Sequence, residues 1–218
     1  MHVILPRILL LLILLLPPAA GAGPWPRAPG SSFMAMALHD DTRSIWIEHG
    51  LDDDRWLSFE VLHADGLPTL GVRLHKALKL AMGERLGLKT ATSLGLHADR
   101  PYGRWAAHVS LGLSVGRAIS WPWPGWASLD LRHDQGLFRQ RLKADLTLGL
   151  RPWQDWAVIV QWQHDHQIIL HTLEQQRSRH LQSGLLWDIT PHLSLEIGLR
   201  QDLRGGGGSA RIGTWIRF

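Results

Sequence analysis

The segment 141–151 reads RLKADLTLGLR and sorts alternate residues into two chemically different sets. The apolar set comprises Leu142, Ala144, Leu146, Leu148 and Leu150. The polar or small set comprises Lys143, Asp145, Thr147, Gly149 and Arg151. Successive side chains of a β-strand point to opposite faces, whereas a helix, which turns about 100° per residue, would mix the two sets. The segment therefore predicts a long strand with one apolar face and one wet face.

The same alternation recurs along most of the chain. Segments 85–97, 107–116 and 192–202 each place aliphatic residues at every second position, opposite glycine, serine and charged residues. Counting such segments between turn signals predicts about twelve strands, with ten as the alternative. The predicted strands are residues 33–39, 43–50, 55–64, 69–81, 84–97, 104–117, 125–134, 137–151, 155–167, 177–190, 192–203 and 209–218.

The length of these strands favours a membrane barrel over a soluble sandwich, which also alternates. Several segments reach ten or more residues, as tilted membrane strands do, whereas soluble strands average about five or six. Tryptophans near the segment ends suit an interfacial girdle: Trp56, Trp105, Trp126, Trp153, Trp156 and Trp187. Only a closed barrel satisfies the backbone of β-strands in lipid. We therefore expect an all-β, antiparallel, up-and-down transmembrane β-barrel over residues 33–218.

The first 32 residues read as a leader and a connecting segment. Arg7 precedes an aliphatic stretch at 8–16 and the small residues 20–22, which together indicate a secretory signal peptide over residues 1–22 that is cleaved after Ala22. Residues 23–32, with three prolines, are expected to form a flexible N-terminal lead. Cleavage removes one basic residue from a formal net charge of +4, which is too small to indicate nucleic-acid binding.

The last ten residues, SARIGTWIRF, end on Phe218, with Ile216 and Ile212 at alternate positions before it. This pattern resembles the closing strand of bacterial outer-membrane β-barrel proteins, although Thr214 is a weaker match than an aliphatic residue. The resemblance implies a place in the bacterial outer membrane. It also implies two partners, the outer-membrane lipids and the barrel-assembly machinery, which reads Phe218, Ile216 and Ile212.

The polar face of the predicted barrel carries both signs of charge. The candidate lumen-lining residues are Arg73, Lys79, Lys89, Arg132, Lys143, Asp145, Arg151, Glu196, Arg200 and Arg211. The excess of basic residues predicts a small passive pore, or a solute-specific channel, with a mild preference for anionic solutes. The alternative is a closed structural or surface-binding barrel, whose ion-paired interior conducts nothing.

Histidine and aspartate recur together at five predicted strand exits: His39-Asp40, His63 with Asp65, His97 with Asp99, His133-Asp134 and His164-Asp165-His166. The twelve-strand topology places all five at the extracellular rim. Imidazole and carboxylate bind zinc, copper and nickel, so His164, Asp165 and His166 are candidate metal ligands. Aspartate is also common in turns, which accounts for part of the pattern without a metal.

An enzymatic role has little support in the sequence. The absence of cysteine excludes disulfides, thiolate metal sites and thiol nucleophiles. His108 and Ser110 share a strand face, as a base and a nucleophile would, but the chain has no asparagine to orient the base. Both side chains also point into the predicted lumen, away from the lipid substrate of an outer-membrane acyl hydrolase. The sequence therefore predicts no enzyme and no cofactor.

Overall fold

Twelve antiparallel strands form one closed barrel in the computed structural model, which describes residues 25–40, 42–64, 67–100, 104–170 and 172–218. The strands are β1 (Ser32–His39), β2 (Thr42–Gly50), β3 (Arg55–Ala64), β4 (Leu67–Leu78), β5 (Leu88–Asp99), β6 (Ala106–Ile119), β7 (Gly125–Gly136), β8 (Arg139–Trp153), β9 (Trp156–Ile169), β10 (Glu174–Thr190), β11 (Leu193–Asp202) and β12 (Gly208–Arg217). Each strand pairs with its sequence neighbours, and β1 also pairs with β12. The predicted fold class and the strand number of twelve are confirmed.

The alternation of β8 sorts its side chains between the lumen and the outer wall. Leu146 and Leu148 are 50% and 40% exposed on the outside, whereas Thr147 between them is buried. Hydrocarbon chains are the environment that accepts a continuous apolar outer surface of this kind. In the described part of the chain, the single helix α1 (Ala81–Arg85) is too short to cross a bilayer.

The connection between β4 and β5 differs from the prediction. We expected strands 69–81 and 84–97 around a tight turn, but β4 ends at Leu78 and β5 begins at Leu88, with α1 between them. Alternating apolar residues continue through Leu80 and Leu86, so periodicity alone could not locate the end of the sheet. Lys79 consequently follows β4 and is exposed rather than turned into the lumen.

The tryptophan girdle is smaller than predicted. Trp156 and Trp187 lie opposite each other on the outer wall of β9 and β10 and stack with ring centroids 5.6 Å apart. Trp56 and Trp126 were wrong as girdle members, because they occupy lumen positions and are almost fully buried. Gly149 makes room for Trp126, since a Cβ at this glycine would lie 2.3 Å from the indole Cζ2.

The C-terminal strand closes the barrel against the N-terminal strand. Ile216 pairs with Met34, Ile212 pairs with Leu38, and the Phe218 amide donates to the Ser32 carbonyl over 2.9 Å. Ile216 and Ile212 lie on the outward side, and Phe218 is exposed beyond the end of β12. Recognition of Phe218, Ile216 and Ile212 by the barrel-assembly machinery stays a prediction.

Candidate functional site: the barrel lumen

Two cavities adjoin along the axis of the barrel. The inner cavity, of about 340 Å³, reaches toward the end that holds both termini. The outer cavity, of about 510 Å³, reaches toward the opposite end, where His39, Asp202 and Gly207 line it. Six residues line both cavities, and we call them the waist: Glu60, Lys143, Gln161, Gln163, Gln182 and Arg211. The waist is entirely polar, as a path for hydrated solutes requires.

Most of the candidate lumen residues line these cavities. Arg73, Arg132, Lys143, Asp145, Glu196 and Arg211 line the inner cavity, and Lys143, Arg200 and Arg211 line the outer one. Arg151 lines neither cavity and instead contacts Asp188 over 2.5 Å. Lys79 and Lys89 are exposed and line neither cavity, because both lie near the ends of strands that stop short of the predicted turn.

Glu60 is the centre of an ionic cluster at the waist. Its Oε2 lies 3.1 Å from Nη1 of Arg132 and 3.4 Å from Nη2 of Arg73. Arg132 also places its Nε 3.2 Å from Oδ2 of Asp134, and His97 Nδ1 lies 3.9 Å from Glu60. Glu60 and Asp134 together compensate two guanidinium groups inside the barrel, where an uncompensated charge is costly.

Other ion pairs neutralise most of the basic residues of the lumen. Lys143 Nζ lies 3.0 Å from Asp145, and Arg211 Nε donates to Glu196 over 2.9 Å. Among the described residues, these lumen arginines each contact a carboxylate: Arg27, Arg73, Arg132, Arg139, Arg141, Arg151, Arg211 and Arg217. The excess of basic residues that the sequence indicates is therefore largely neutralised by ion pairs among the lumen side chains.

Arg200 is the exception among the lumen arginines of the described chain. Its Nη1 donates to Nε2 of His39 over 2.6 Å, and no ion pair joins it to a carboxylate within the described residues. It lines the outer cavity, so its charge faces an aqueous space. Arg200 is consequently the residue best placed to attract an anion into the barrel.

The N-terminal segment 25–31 lies against the mouth of the inner cavity. Arg27 lines this cavity, donates through Nε to Oε2 of Glu48 over 2.6 Å, and covers the ring of Phe33 at 4.5 Å. The backbone is held as well, since the Gly30 amide donates to the Gly50 carbonyl over 2.9 Å. Ion pairing, cation–π contact and backbone hydrogen bonds together fix the segment to the barrel.

Trp25 extends this contact into an apolar cluster inside the barrel. The cluster consists of Trp126, Ala157, Ile159 and Leu186, and both Trp25 and Trp215 pack against it. These apolar side chains occupy part of the inner end of the barrel, beside ion pairs such as Arg27–Glu48 and Arg151–Asp188. The prolines of this segment predicted only a flexible lead. Trp25 and Arg27 were the residues that could have indicated its attachment to the barrel, since a tryptophan and an arginine can anchor such a segment.

The His–Asp motifs do not assemble into a metal centre. Asp165 points into the lumen, where Arg141 donates to it through Nε over 2.7 Å, while His164 and His166 lie on the outer wall. Adjacent strand residues face opposite sides, so a contiguous His-Asp-His sequence cannot converge on one ion. In the described residues, no group of three histidine or acidic side chains could hold a metal. Asp65 lies outside the described residues.

His108 and Ser110 do not form a nucleophilic pair in the described structure. His108 Nε2 lies 3.1 Å from Oδ1 of Asp99, a partner that sequence analysis had not found. The Ser110 hydroxyl is fully buried, makes no hydrogen bond within the described residues, and lines neither cavity. A substrate could not reach this hydroxyl without opening the wall.

Comparison with known proteins places the fold. The structure is similar to the KdgM porin (TM-score 0.61, 12% identity, covering 86% of this chain and 99% of that one). It is similar to an outer-membrane channel from Pseudomonas putida F1 (TM-score 0.60, 12% identity, 92% and 100% covered). It is also similar to the NanC porin (TM-score 0.57, 13% identity, 85% and 98% covered). No protein-family model matches the sequence, and no curated protein matches it. The chain therefore has the fold of outer-membrane β-barrel proteins, as the C-terminal resemblance implied.

Proposed function

We propose that this protein is a narrow passive channel for small polar solutes in a bacterial outer membrane. The predicted cleavable signal peptide, which lies outside the described residues, would direct its export across the inner membrane. The observation that carries the proposal is the pair of adjoining cavities, which meet at an all-polar waist inside a closed barrel. The similarity in fold to porins and channels supports the same function.

The interior of the barrel suits small solutes rather than large ones. The two cavities have volumes of only about 340 and 510 Å³, and the ionic cluster around Glu60 holds Arg73 and Arg132 in place. The strand connections in the described chain are short, so selectivity is set by wall residues rather than by an infolded loop. A solute that crosses the waist must exchange part of its hydration for contacts with fixed charges and amides.

Single-channel recording in planar bilayers tests the proposal directly. The purified mature protein is expected to give small, protein-dependent current steps. A barrel that is folded, as shown by β-sheet circular dichroism and a shift in gel mobility on heating, yet remains silent would contradict it. That result would favour the second candidate, a closed structural barrel, which the apolar cluster around Trp126 supports.

Arg200→Gln is expected to weaken the preference for anions. Loss of one partly screened charge is equivalent to roughly 0.5–1 kcal/mol, or about a two- to fivefold fall in the anion-to-cation permeability ratio. Reversal potentials in a salt gradient measure this ratio. Arg117→Gln removes the same charge from the exposed outer wall and serves as the control. Equal ratios in both variants would show that Arg200 does not set selectivity.

A further inference from the structure

Within the described strands, the outer wall of the barrel carries only positive charge. Every carboxylate that belongs to a described strand lies on the lumen side of the alternation. The charged residues on the outward side are all basic: Arg43, Arg55, Lys76, Arg117, Arg177 and Arg179. A random distribution of surface charge would mix both signs, so the wall is complementary to an anionic environment.

Two of these arginines form a compact group with two histidines on β9 and β10. Arg177 lies directly opposite His166, and Arg179 lies directly opposite His164. All four side chains face outward, and directly opposed residues on antiparallel strands have Cβ atoms about 4.5–5.5 Å apart. We call Arg177, Arg179, His164 and His166 the basic patch.

The basic patch lies where the apolar belt of the wall ends. On β9 the outward residues from Trp156 to Trp162 are apolar, and His164 and His166 follow. On β10 the apolar outward residues end at Leu181, which pairs with Trp162. The next outward residue toward the extracellular end is Arg179. Trp162 stacks on His164 with ring centroids 5.9 Å apart, and tryptophan is enriched at membrane–water boundaries. Both termini lie at the opposite end, so this boundary belongs to the extracellular leaflet.

The polar groups of the patch lack anionic partners in the described chain. Arg177 donates to Oε1 of Gln175 over 3.0 Å, and neither Arg177 nor Arg179 takes part in an ion pair among the described residues. The Nδ1 atom of His164 and the Nε2 atom of His166 are buried, with no hydrogen-bond partner there. These two nitrogens are closed to an external ligand, so the exposed guanidinium groups of Arg177 and Arg179 are the donors that the patch offers outward.

We propose that the basic patch binds a phosphate group of a phosphorylated lipid in the outer leaflet. Guanidinium groups match phosphate oxygens geometrically, and two of them beside two imidazoles offer donors from a single face of the wall. The apolar belt below the patch would contact the acyl chains of the same lipid. This site lies outside the lumen and does not depend on the barrel conducting.

Binding of lipid A to the full mature protein in detergent tests the proposal, with native mass spectrometry as the readout. Bisphosphorylated lipid A is expected to bind more tightly than lipid A from which both phosphates have been removed. Arg177→Gln/Arg179→Gln should weaken binding of the phosphorylated form on the order of thirtyfold, from two surface cations. Arg117→Gln, on the outer wall near the opposite boundary, should leave it unchanged.

Three results would overturn the site. They are equal binding of the two forms of lipid A, equal loss of binding in the patch variant and the Arg117 variant, and displacement of lipid A by millimolar inorganic phosphate. The last result would assign the patch to free phosphate instead of a lipid. Because Arg177 and Arg179 are exposed, the double variant should fold normally. The variant His164→Gln/His166→Gln keeps both arginines and is a second test. It should also weaken binding of bisphosphorylated lipid A.

Discussion

The double variant Trp25→Ala/Arg27→Gln is expected to conduct severalfold more current per channel than the natural protein. Trp25 packs on the apolar cluster at the inner end of the lumen, and Arg27 binds Glu48 within the inner cavity. Loss of the indole and of the ion pair would release the segment from the mouth of the inner cavity and widen the path there. Conductance in planar bilayers at high salt measures the change.

Trp153→Ala is the matched control for this variant. Trp153 lies at the same end of the barrel but is 64% exposed on the outside, so its loss should leave conductance unchanged. If the double variant conducts no more than the control, the N-terminal segment is not the constriction. A natural protein that is silent, beside a variant that conducts, would show that the segment closes the channel completely.

Glu60→Gln is expected to have the largest effect on stability. The substitution leaves Arg73 without its carboxylate and Arg132 with Asp134 alone, which should lower the free energy of unfolding by about 3 kcal/mol. The same change adds net positive charge at the waist, so the anion-to-cation permeability ratio should rise. Denaturant unfolding in lipid vesicles and reversal potentials measure the two effects.

Asp130→Asn separates these two effects. Asp130 also lines the inner cavity, but within the described residues it accepts a hydrogen bond from Ser128 over 3.3 Å and makes no ion pair. Its replacement should raise the permeability ratio in the same direction while costing little stability. A loss of stability in Glu60→Gln no larger than in Asp130→Asn would refute the central role of the Glu60 cluster.

The face on which each side chain lies could be predicted from the sequence, but its partner could not. Arg73, Arg132 and Arg200 were all assigned to the lumen by alternation, and all three line a cavity. The sequence did not show that Arg132 shares Glu60 with Arg73, because Arg132 and Glu60 are 72 residues apart. It also suggested an excess of positive charge, which ion pairs among the lumen side chains mostly remove.

The predicted metal site was wrong because adjacent residues of a strand face opposite sides. His164 and His166 share a face, as expected, but Asp165 between them must face the other way. Trp56 and Trp126 were misplaced for a related reason, since their nearness to strand ends was weighed above their position in the alternation. In both cases the period of two was the more reliable guide.

The amino-acid sequence alone determined an antiparallel barrel of about twelve strands, with aliphatic residues outside and polar residues inside. That information is local, because side-chain direction repeats every two residues along each strand. Only the tertiary structure decided which side chains meet in the lumen, such as Arg200 and His39, which are 161 residues apart and lie on strands on either side of β12. It also decided that Trp25 lies against the inner mouth. Such contacts depend on the tilt and stagger of all twelve strands once the barrel closes, and no single segment encodes them.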